Sequence, residues 1–260
     1  MGTPFIAFLP PSYLSSYSPP SSQPTTVPKT FVDAMAVRHT VFVEEQGVPP
    51  ANESDTDDPR SCHWVIYAST NTVISPAHTN PQNQITKSQR SITESMPIGT
   101  IRLVPFPHAP HPEPGSKFVF APEVATTAPP NYMQDRKTSG HDGIEPYVKL
   151  GRLAILPEFR GHGLAKLLAH AALTWARGNP TYFNPNVAEV GMKKLGAETF
   201  EDIPAWNGLV CVHAQIGVQT MWERWGFVMD EEMGRWVEEG IEHVGMWKRL
   251  NIEPRTSIRS

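Results

Sequence analysis

Apolar residues along the chain form either short runs, which predict buried strands, or three-and-four spacings, which predict helices. The clearest run covers residues 148–156 and ends before Pro157, which cannot donate to a strand ladder. After a short glycine turn, an amphipathic helix is predicted to run until Gly178. Its apolar face contains Leu164, Leu167, Leu168, Ala171, Ala172 and Trp175. The pattern predicts a buried central strand, a tight turn and a helix that packs on the sheet.

Shorter versions of the same patterns occur on both sides of this unit. Strands are predicted at residues 3–9, 61–68, 97–104, 207–213, 227–229 and 243–247. Helices are predicted at residues 29–39, 187–195 and 214–225. Strands that alternate with a few helices predict an α/β fold of the α+β type, with a sheet of mixed strand direction.

Three stretches without periodicity separate the predicted elements. The chain has 27 prolines, and we expect irregular insertions at 69–96, 105–146 and 179–206 within a single domain of residues 1–260. The first of these is predicted to be a mobile hairpin loop. In the second, we expect His108 and His111 to face water, and we predict no metal site there.

Composition and charge narrow the class of protein. A chain of 260 residues with 39% hydrophobic residues can bury a full core. A net charge of −4 gives no basic footprint for a nucleic acid or a membrane surface. Two cysteines, Cys62 and Cys211, are too few for a disulfide framework. We therefore expect a cytoplasmic protein with reduced, buried thiols that binds neither nucleic acid nor membrane.

The turn between the central strand and the helix has a composition that suits an anion. Gly161 and Gly163 allow the backbone to approach a ligand closely, and Ala165 adds almost no side chain. A helix that begins there presents unpaired N–H groups and the positive end of its dipole at one point. The spacing matches neither a Walker loop nor the dinucleotide-binding motif. It predicts a phosphate or diphosphate site.

Arg160, Gly163 and Ala165 form the pattern R-x-x-G-x-A after a strand and the sequence PEF. This pattern resembles the acetyl-coenzyme A signature of the GNAT superfamily of N-acetyltransferases. A second stretch, R-x-x-VFV-x-EQG-x-P at 38–49, is similar to the ElaA-like branch of that superfamily. The C-terminal patterns at 213–215, 223–227 and 238–246 resemble the same branch. The resemblance covers residues 30–250 in pieces and leaves out the three insertions.

The resemblance implies the GNAT acyl-CoA N-acyltransferase fold and acetyl-CoA as co-substrate. It further implies that a primary amine attacks the thioester directly in a ternary complex. In such proteins a backbone N–H at a bulge in the central strand stabilises the carbonyl oxygen, and the turn holds the diphosphate. The residues implied for coenzyme binding are Leu153, Ala154, Ile155, Leu156, Arg160, Gly161, His162, Gly163, Leu164 and Ala165. Relatives of this fold are often homodimers.

Carboxylates and histidines in the matched stretches are the candidates for catalysis. A lysine-like amine has a pKa near ~10 and must lose a proton before it attacks. We expect Glu45 to accept this proton through a water, with Glu44 as the competing base. His213, Gln215, Glu239 and His243 are further candidates for catalysis or acceptor binding. Each of these side chains is alternatively an ordinary surface or structural polar group.

The chain departs from its relatives at the position of the proton donor to sulfur. The family usually has Phe-Tyr where this chain has Met221-Trp222, and an indole cannot deliver a proton to a thiolate. Either another group or water protonates the thiolate, or it leaves unassisted, or turnover is weakened. The leading function is acetylation of a small primary amine. The alternatives are a non-catalytic acyl-CoA-binding protein and a peptide or protein lysine acetyltransferase.

Overall fold

The computed structural model of the protein describes residues 4–11, 26–75, 78–79, 85–87, 90–118 and 132–252. The α-helices in these ranges are α1 Lys29–Arg38, α2 Pro50–Glu53, α3 Leu164–Gly178, α4 Val187–Val190 and α5 Gln219–Arg224. The strands are β1 Phe5–Leu9, β2 Cys62–Ser75, β3 His78–Thr79, β4 Ile85–Lys87, β5 Arg90–Val104, β6 Lys117–Phe118, β7 Val148–Ile155, β8 Leu209–Gln215, β9 Val228–Met229, β10 Arg235–Glu238 and β11 Ile241–Arg249.

In the part of the chain that the structure describes, nine strands form one mixed sheet. Its order is β1-β2-β5-β7-β8-β11-β10-β6, with β9 paired to β11. The pairs β7–β8 and β10–β6 are parallel and the others are antiparallel. The strands β3 and β4 form a separate two-stranded sheet. The predicted α/β fold with a mixed sheet is confirmed.

The main core lies between the sheet and α3. Leu168, Ala172 and Ala176 of this helix are fully buried against the apolar side chains of β2, β5, β7 and β8. Val148 and Leu150 supply the β7 side of this contact, which is why the central strand reads as an apolar run. One residue of the predicted apolar face does not lie in the core, because Leu167 is 48% exposed. The buried stripe passes through Ala169 and Ala176 instead.

The opposite face of the sheet is covered by α1 and by irregular chain. Ala34 of α1 packs on Val65 and Tyr67 of β2. Further along the sheet, the segment between β5 and β7 covers a cluster of Tyr147, Leu209, Cys211, Met233, Trp236 and Trp247. Both cysteines are free and buried. Within the described residues, no helix combines the length and the apolar character needed to cross a bilayer.

The structure differs from the predicted insertion at 69–96. β2 and β5 continue as a paired antiparallel hairpin from Ser69↔Ser95 to Ser75↔Arg90. Backbone pairing satisfies the N–H and C=O groups whatever the side chains are, and Val73, Ile74 and Ile92 are exposed. Since this hairpin does not face the core, it carries no hydrophobic alternation. Residues 76–77, 80–84, 88–89 and 119–131, in the predicted insertions, lie outside the described residues.

Two other elements differ in detail from the prediction. The predicted helix at 214–225 is a 3₁₀ turn, Ile216–Val218, followed by the short helix α5, because the strand β8 extends to Gln215. The helix α1 continues directly into a π-helical segment, His39–Glu45. This segment belongs to the stretch that resembles the ElaA-like branch. It lies over one end of β7, where Val37 and Val41 pack on Ala154.

Candidate active site

The two parallel central strands separate part of the way along the sheet. β7 and β8 are paired from Val148↔Val210 to Leu150↔Val212, and no pairing between them continues beyond this point in the described residues. A cavity of about 860 Å³ begins where they diverge. It is lined by residues 151–155 on one side and by residues 213–215 on the other. We call this opening the wedge.

A bulge in β7 turns its backbone toward the wedge. Thr100 pairs with Ala154 and Arg102 pairs with Gly151, so two residues of β7 oppose one of β5. Arg152, inside the bulge, has a left-handed φ of 51°. Beyond the bulge, the N–H of Leu156 donates to Ile98 on the β5 side, so strand alternation directs the N–H of Ile155 away from β5 and into the wedge. The predicted bulge is therefore present.

The N–H of Leu156 does not fit the predicted coenzyme role. It donates to the carbonyl of Ile98 at 2.9 Å, so it is already used on the β5 side. His162 is a second exception, because its exposed ring hydrogen-bonds to the carbonyl of Phe159 at 3.3 Å and does not line the cavity. The other eight predicted coenzyme residues line the cavity.

The predicted anion site, at the start of α3, lies open at one end of the wedge. Gly161 and Gly163 have φ values of 80° and 73°, which residues with a side chain rarely adopt. Gly163 is the N-cap, and no side chain caps the helix. Among the described residues, no side chain accepts from the first N–H groups of the helix, and these groups lie at the cavity. Lys166 and Arg224, which the sequence analysis did not select, add positive charge to this cavity.

Arg160 and Glu45 form an ion pair beside this turn. The guanidinium donates to both carboxylate oxygens at 2.7 and 2.5 Å and to the carbonyl of Ile155 at 3.0 Å. The hydrogen bond from Arg160 lowers the pKa of Glu45. A carboxylate that is held ionised by an arginine is a poor proton acceptor. The geometry therefore disfavours the predicted role of Glu45 as the base.

Glu44 also does not fit the role of a base. Its side chain is 60% exposed and lies 3.7 Å from the ring of His39. It is not among the residues that line the cavity. The reason is the turn of the π-helical segment, which directs Glu45 and Gln46 toward the wedge and leaves Glu44 outside.

The two ends of the wedge lie on opposite faces of the sheet and differ in the side chains that line them. Val212 and Ala214 of β8 pack in the core under α3. By alternation, His213 and Gln215 lie on the opposite face, where Cys211 packs. His243 of β11 pairs with Gln215 in register. The wedge therefore connects an anion site on the α3 face with a polar site on the other face.

Two side-chain bridges cross the polar end of the cavity. Gln215 donates to the side-chain oxygen of Gln46 at 2.9 Å. Asn52 donates to Glu239 at 3.1 Å. These bridges link the segment that follows the π-helix to β8 and to the turn between β10 and β11. Gln215 and Glu239, both predicted for the acceptor site, thus lie together at this end.

A buried ion network forms one wall of the same end. Arg38 binds Glu53 and Asp58, each at 2.6 Å. Arg102 binds Asp55 at 2.5 Å and also Asp58 at 2.7 Å. Burial acts to raise the pKa of the Asp58 carboxyl, but the Arg38 and Arg102 guanidinium groups outweigh it and hold the pKa well below its usual range. Burial also acts to raise the pKa of Asp55, but Arg102 lowers it, so Asp55 and Asp58 stay ionised and are poor proton acceptors.

His213 hydrogen-bonds to a histidine from the 105–146 insertion. Its Nε2 lies 3.1 Å from Nδ1 of His111. Burial lowers the pKa of His213 well below its usual value, and burial also lowers that of His111, to about 3. Both rings are neutral at pH 7. The expectation that His108 and His111 face water is wrong, because they are only 7% and 4% exposed. His108 stacks on Tyr147 and hydrogen-bonds to its carbonyl.

This part of the fold also brings metal-ligand types together. Two sets have potential ligand atoms within 4.8 Å of one another: His111, Cys211 and His213, and His111, Asp135 and His141. His141 uses both ring nitrogens in hydrogen bonds to the 143–145 turn. His111 and His213 are at hydrogen-bond distance from each other. We therefore interpret the groups as a hydrogen-bonded cluster.

Trp222 stands at the position where the resemblance implies a tyrosine in relatives. Trp222 is 4% exposed and lines the cavity. Among the described residues, no serine, threonine, tyrosine or cysteine lines it.

Comparisons with known proteins agree with this geometry. The sequence profile of the acetyltransferase (GNAT) family matches residues 41–196. A comparison with curated proteins finds no match. Similar solved structures include a protein from Lactobacillus plantarum described as a candidate N-acetyltransferase (20% identity, TM-score 0.49, 96% of this chain and 100% of that chain covered). They also include an acyl-CoA N-acyltransferase from Pseudomonas aeruginosa (17%, 0.45, 95% and 99%) and Escherichia coli ElaA (14%, 0.45, 94% and 100%).

The matched residues contain both the π-helical segment and the anion site, and they make up more than half of the chain. The predicted superfamily and the predicted co-substrate are confirmed. The chain belongs to the GNAT acetyltransferase family, whose members use acetyl-CoA or another acyl-CoA as co-substrate.

Proposed function

We propose that the protein is an acetyl-CoA-dependent N-acetyltransferase that acetylates a primary amine of a small molecule by direct attack in a ternary complex. The observation that carries this proposal is the wedge between β7 and β8, with an open helix N-terminus at one end and a polar site at the other. A thioester donor and an amine acceptor would enter from opposite faces and meet where the strands diverge. A cytoplasmic location and a homodimer stay predictions from the sequence.

The residues on the α3 face fit a coenzyme. The uncapped N–H groups that follow Gly163 suit a diphosphate, and Lys166 lies in the same turn. The N–H of Ile155 suits an extended amide chain or a carbonyl oxygen that gains charge. Acetyl-CoA supplies an activated acetyl group. As the amine nitrogen bonds to the acetyl carbon, the C–S bond breaks and its electron pair stays on sulfur. The sulfur finally carries the second proton of the amine, so that CoA leaves as the thiol.

The acceptor end favours a small cation. Glu238 and Glu239 line the cavity there, while Asp55 and Asp58 are already neutralised by arginines. The Gln46–Gln215 and Asn52–Glu239 bridges narrow the same end. We infer that these bridges leave more room for a small amine than for a long peptide. This is the observation that favours a small molecule over a protein lysine.

His213 is the base that the geometry favours. It lines the cavity on the acceptor face and is neutral at neutral pH. Burial lowers its pKa and so weakens it as a base, which means that a nearby group has to stabilise its protonated form. A neutral imidazole takes a proton from the acceptor ammonium and later returns it to water. This proposal replaces Glu45 with a residue that the sequence analysis placed among the further candidates.

A non-catalytic acyl-CoA-binding protein is the second candidate. The observation in its favour is the cavity wall, which offers no side-chain hydroxyl or thiol among the described residues. Such a protein would bind acetyl-CoA through the same backbone groups and would not release CoA. The two candidates therefore differ in turnover and agree in binding.

The test measures acetyl-CoA binding by calorimetry and CoA release with a thiol reagent, using a panel of small primary amines and a lysine peptide. We expect amine-dependent release with small amines and a loss of about 100-fold or more in kcat for His213→Gln, with acetyl-CoA affinity retained. His170→Gln, an exposed histidine on α3, is the matched control. Binding without release for every acceptor would refute the enzyme and support the binder. Faster release with the peptide would refute the small-molecule acceptor.

A further inference from the structure

The insertion between β5 and β7 places a second histidine and a carboxylate directly behind His213. The side chain of His111 is 1% exposed and that of Asp135 is 9% exposed. Nδ1 of His111 lies 3.1 Å from Nε2 of His213, and Nε2 of His111 lies 3.2 Å from Oδ2 of Asp135. The three side chains thus form a line that begins in the cavity and ends in the interior.

The charge on Asp135 determines which ring nitrogen of each histidine in this line carries the hydrogen. The Asp135 carboxylate accepts N–H groups from the backbone of Arg136 at 2.8 Å and of His111 at 3.2 Å, as expected of an ionised group. The nearby Nε2 of His111 must carry its hydrogen, because a lone pair directed at an anion would be repelled. This contact is close but not linear, since Nε2 has no hydrogen bond of good geometry. Its role is electrostatic.

The tautomer of His213 follows from that of His111. A neutral His111 with a hydrogen on Nε2 has a lone pair on Nδ1. That lone pair accepts the hydrogen on Nε2 of His213. The other nitrogen of His213, Nδ1, is then left with a lone pair. Within the described residues, Nδ1 of His213 has no hydrogen-bond partner in the protein, while its ring lines the cavity.

We propose that His111 and Asp135 are positioning residues that hold His213 in the tautomer with a free Nδ1 and stabilise its protonated form during the reaction. This inference deepens the proposed function and rests on it. When the acceptor ammonium loses a proton, the N–H bond breaks and a bond from Nδ1 of His213 to that proton forms. The hydrogen on Nε2 stays in place, and the positive charge is balanced by Asp135 through the polarised ring of His111.

Most charged groups around the two histidines oppose their protonation, which makes the carboxylate of Asp135 important for stabilising the protonated form. Burial lowers the pKa of both histidines, and Lys149 lowers it further for each of them. The titratable groups that face His213 are His111, Lys149, His243 and His108. Those that face His111 are Lys149, His141, Arg136, Asp230 and Asp135. Among these groups, the carboxylates of Asp135 and Asp230 favour a proton here, and Asp230 also binds Thr138, Ser139 and Trp247.

The first experiment records the ¹⁵N chemical shifts of the His213 ring in the full chain without ligand, so it does not depend on turnover. We expect the Nε2–H tautomer in the unmodified protein and a mixture of tautomers in His111→Leu. His111→Asn, which retains an acceptor near the position of Nδ1, should restore the single tautomer. The Nδ1–H tautomer in the unmodified protein would overturn the inference even if every variant failed to fold.

The second experiment measures kcat and kcat/KM against pH with the best amine. Asp135→Asn removes the charge that stabilises protonated His213, so the acid limb should shift to lower pH and kcat should fall by about 10-fold or more. The KM for acetyl-CoA should not change. Lys137→Gln, at an exposed position in the same segment, is the control and should keep the unmodified pH profile. A normal profile in both Asp135→Asn and His111→Leu would overturn the inference and leave the proposed function intact.

Discussion

The ion pair between Arg160 and Glu45 gives a direct test of how the site works. If Glu45 only holds Arg160 away from the coenzyme, Glu45→Gln should strengthen CoA binding, because the guanidinium becomes available to a phosphate. The two side chains are 43% and 38% exposed, so the pair contributes only about 0.2–1 kcal/mol. Release of this energy corresponds to about 1.4- to 5-fold tighter binding.

The assay is calorimetric titration of CoA into both proteins, with kcat measured in parallel. The gain in affinity should shrink as salt is raised, because an exposed pair is screened. Glu44→Gln, which removes the neighbouring carboxylate without touching Arg160, is the matched control and should bind as the unmodified protein does. If Glu45 were instead the general base, kcat would fall by about 10²- to 10⁴-fold at unchanged CoA affinity. That result would refute both this reasoning and the assignment of His213.

Two further predictions concern stability. Leu168→Ala, at a fully buried position, should lower the free energy of unfolding by about 2–5 kcal/mol in urea titrations. Leu167→Ala should change it by less than about 0.5 kcal/mol. Equal losses for the two variants would show that the helix packs with another face. His63 is buried, and desolvation lowers its pKa to about 4 from the ordinary value of 6.5, so the unfolded chain binds more protons between these values. Its contribution is full above pH 6.5 and is lost as pH falls toward 4, at up to about 1.4 kcal/mol per pH unit. His63→Gln should therefore lose less stability than the unmodified protein over this range, and parallel pH curves would contradict the assignment.

The anion site was predictable because its signal is local. Pro157, Gly163 and the apolar face from Leu164 lie within a few residues of one another, and each limits its own backbone conformation. The strand, the turn and the helix therefore follow from short-range rules. The same is true of the missing hydroxyl at Trp222, which is a matter of residue type and not of geometry.

The strand pairing within the hairpin predicted at 69–96 and the burial of the histidines of the insertion were not predictable in the same way. A polar strand that pairs through its backbone carries no hydrophobic period, so Ser69 and Ser95 give no signal of their pairing. Loop histidines usually face water, and the burial of His111 depends on Trp247 and Tyr147, which come from distant strands. Composition alone does not reveal such a partner.

By itself, the sequence determined the strand–turn–helix unit, the family and the kind of co-substrate, because these depend on residues that are neighbours along the chain. Only the tertiary structure decided which polar groups meet. It paired Glu45 with Arg160 across 115 positions and His213 with His111 across 102 positions. Proton affinity depends on burial and on nearby charge, and both are properties of the folded arrangement. The choice of base could therefore come only from the fold.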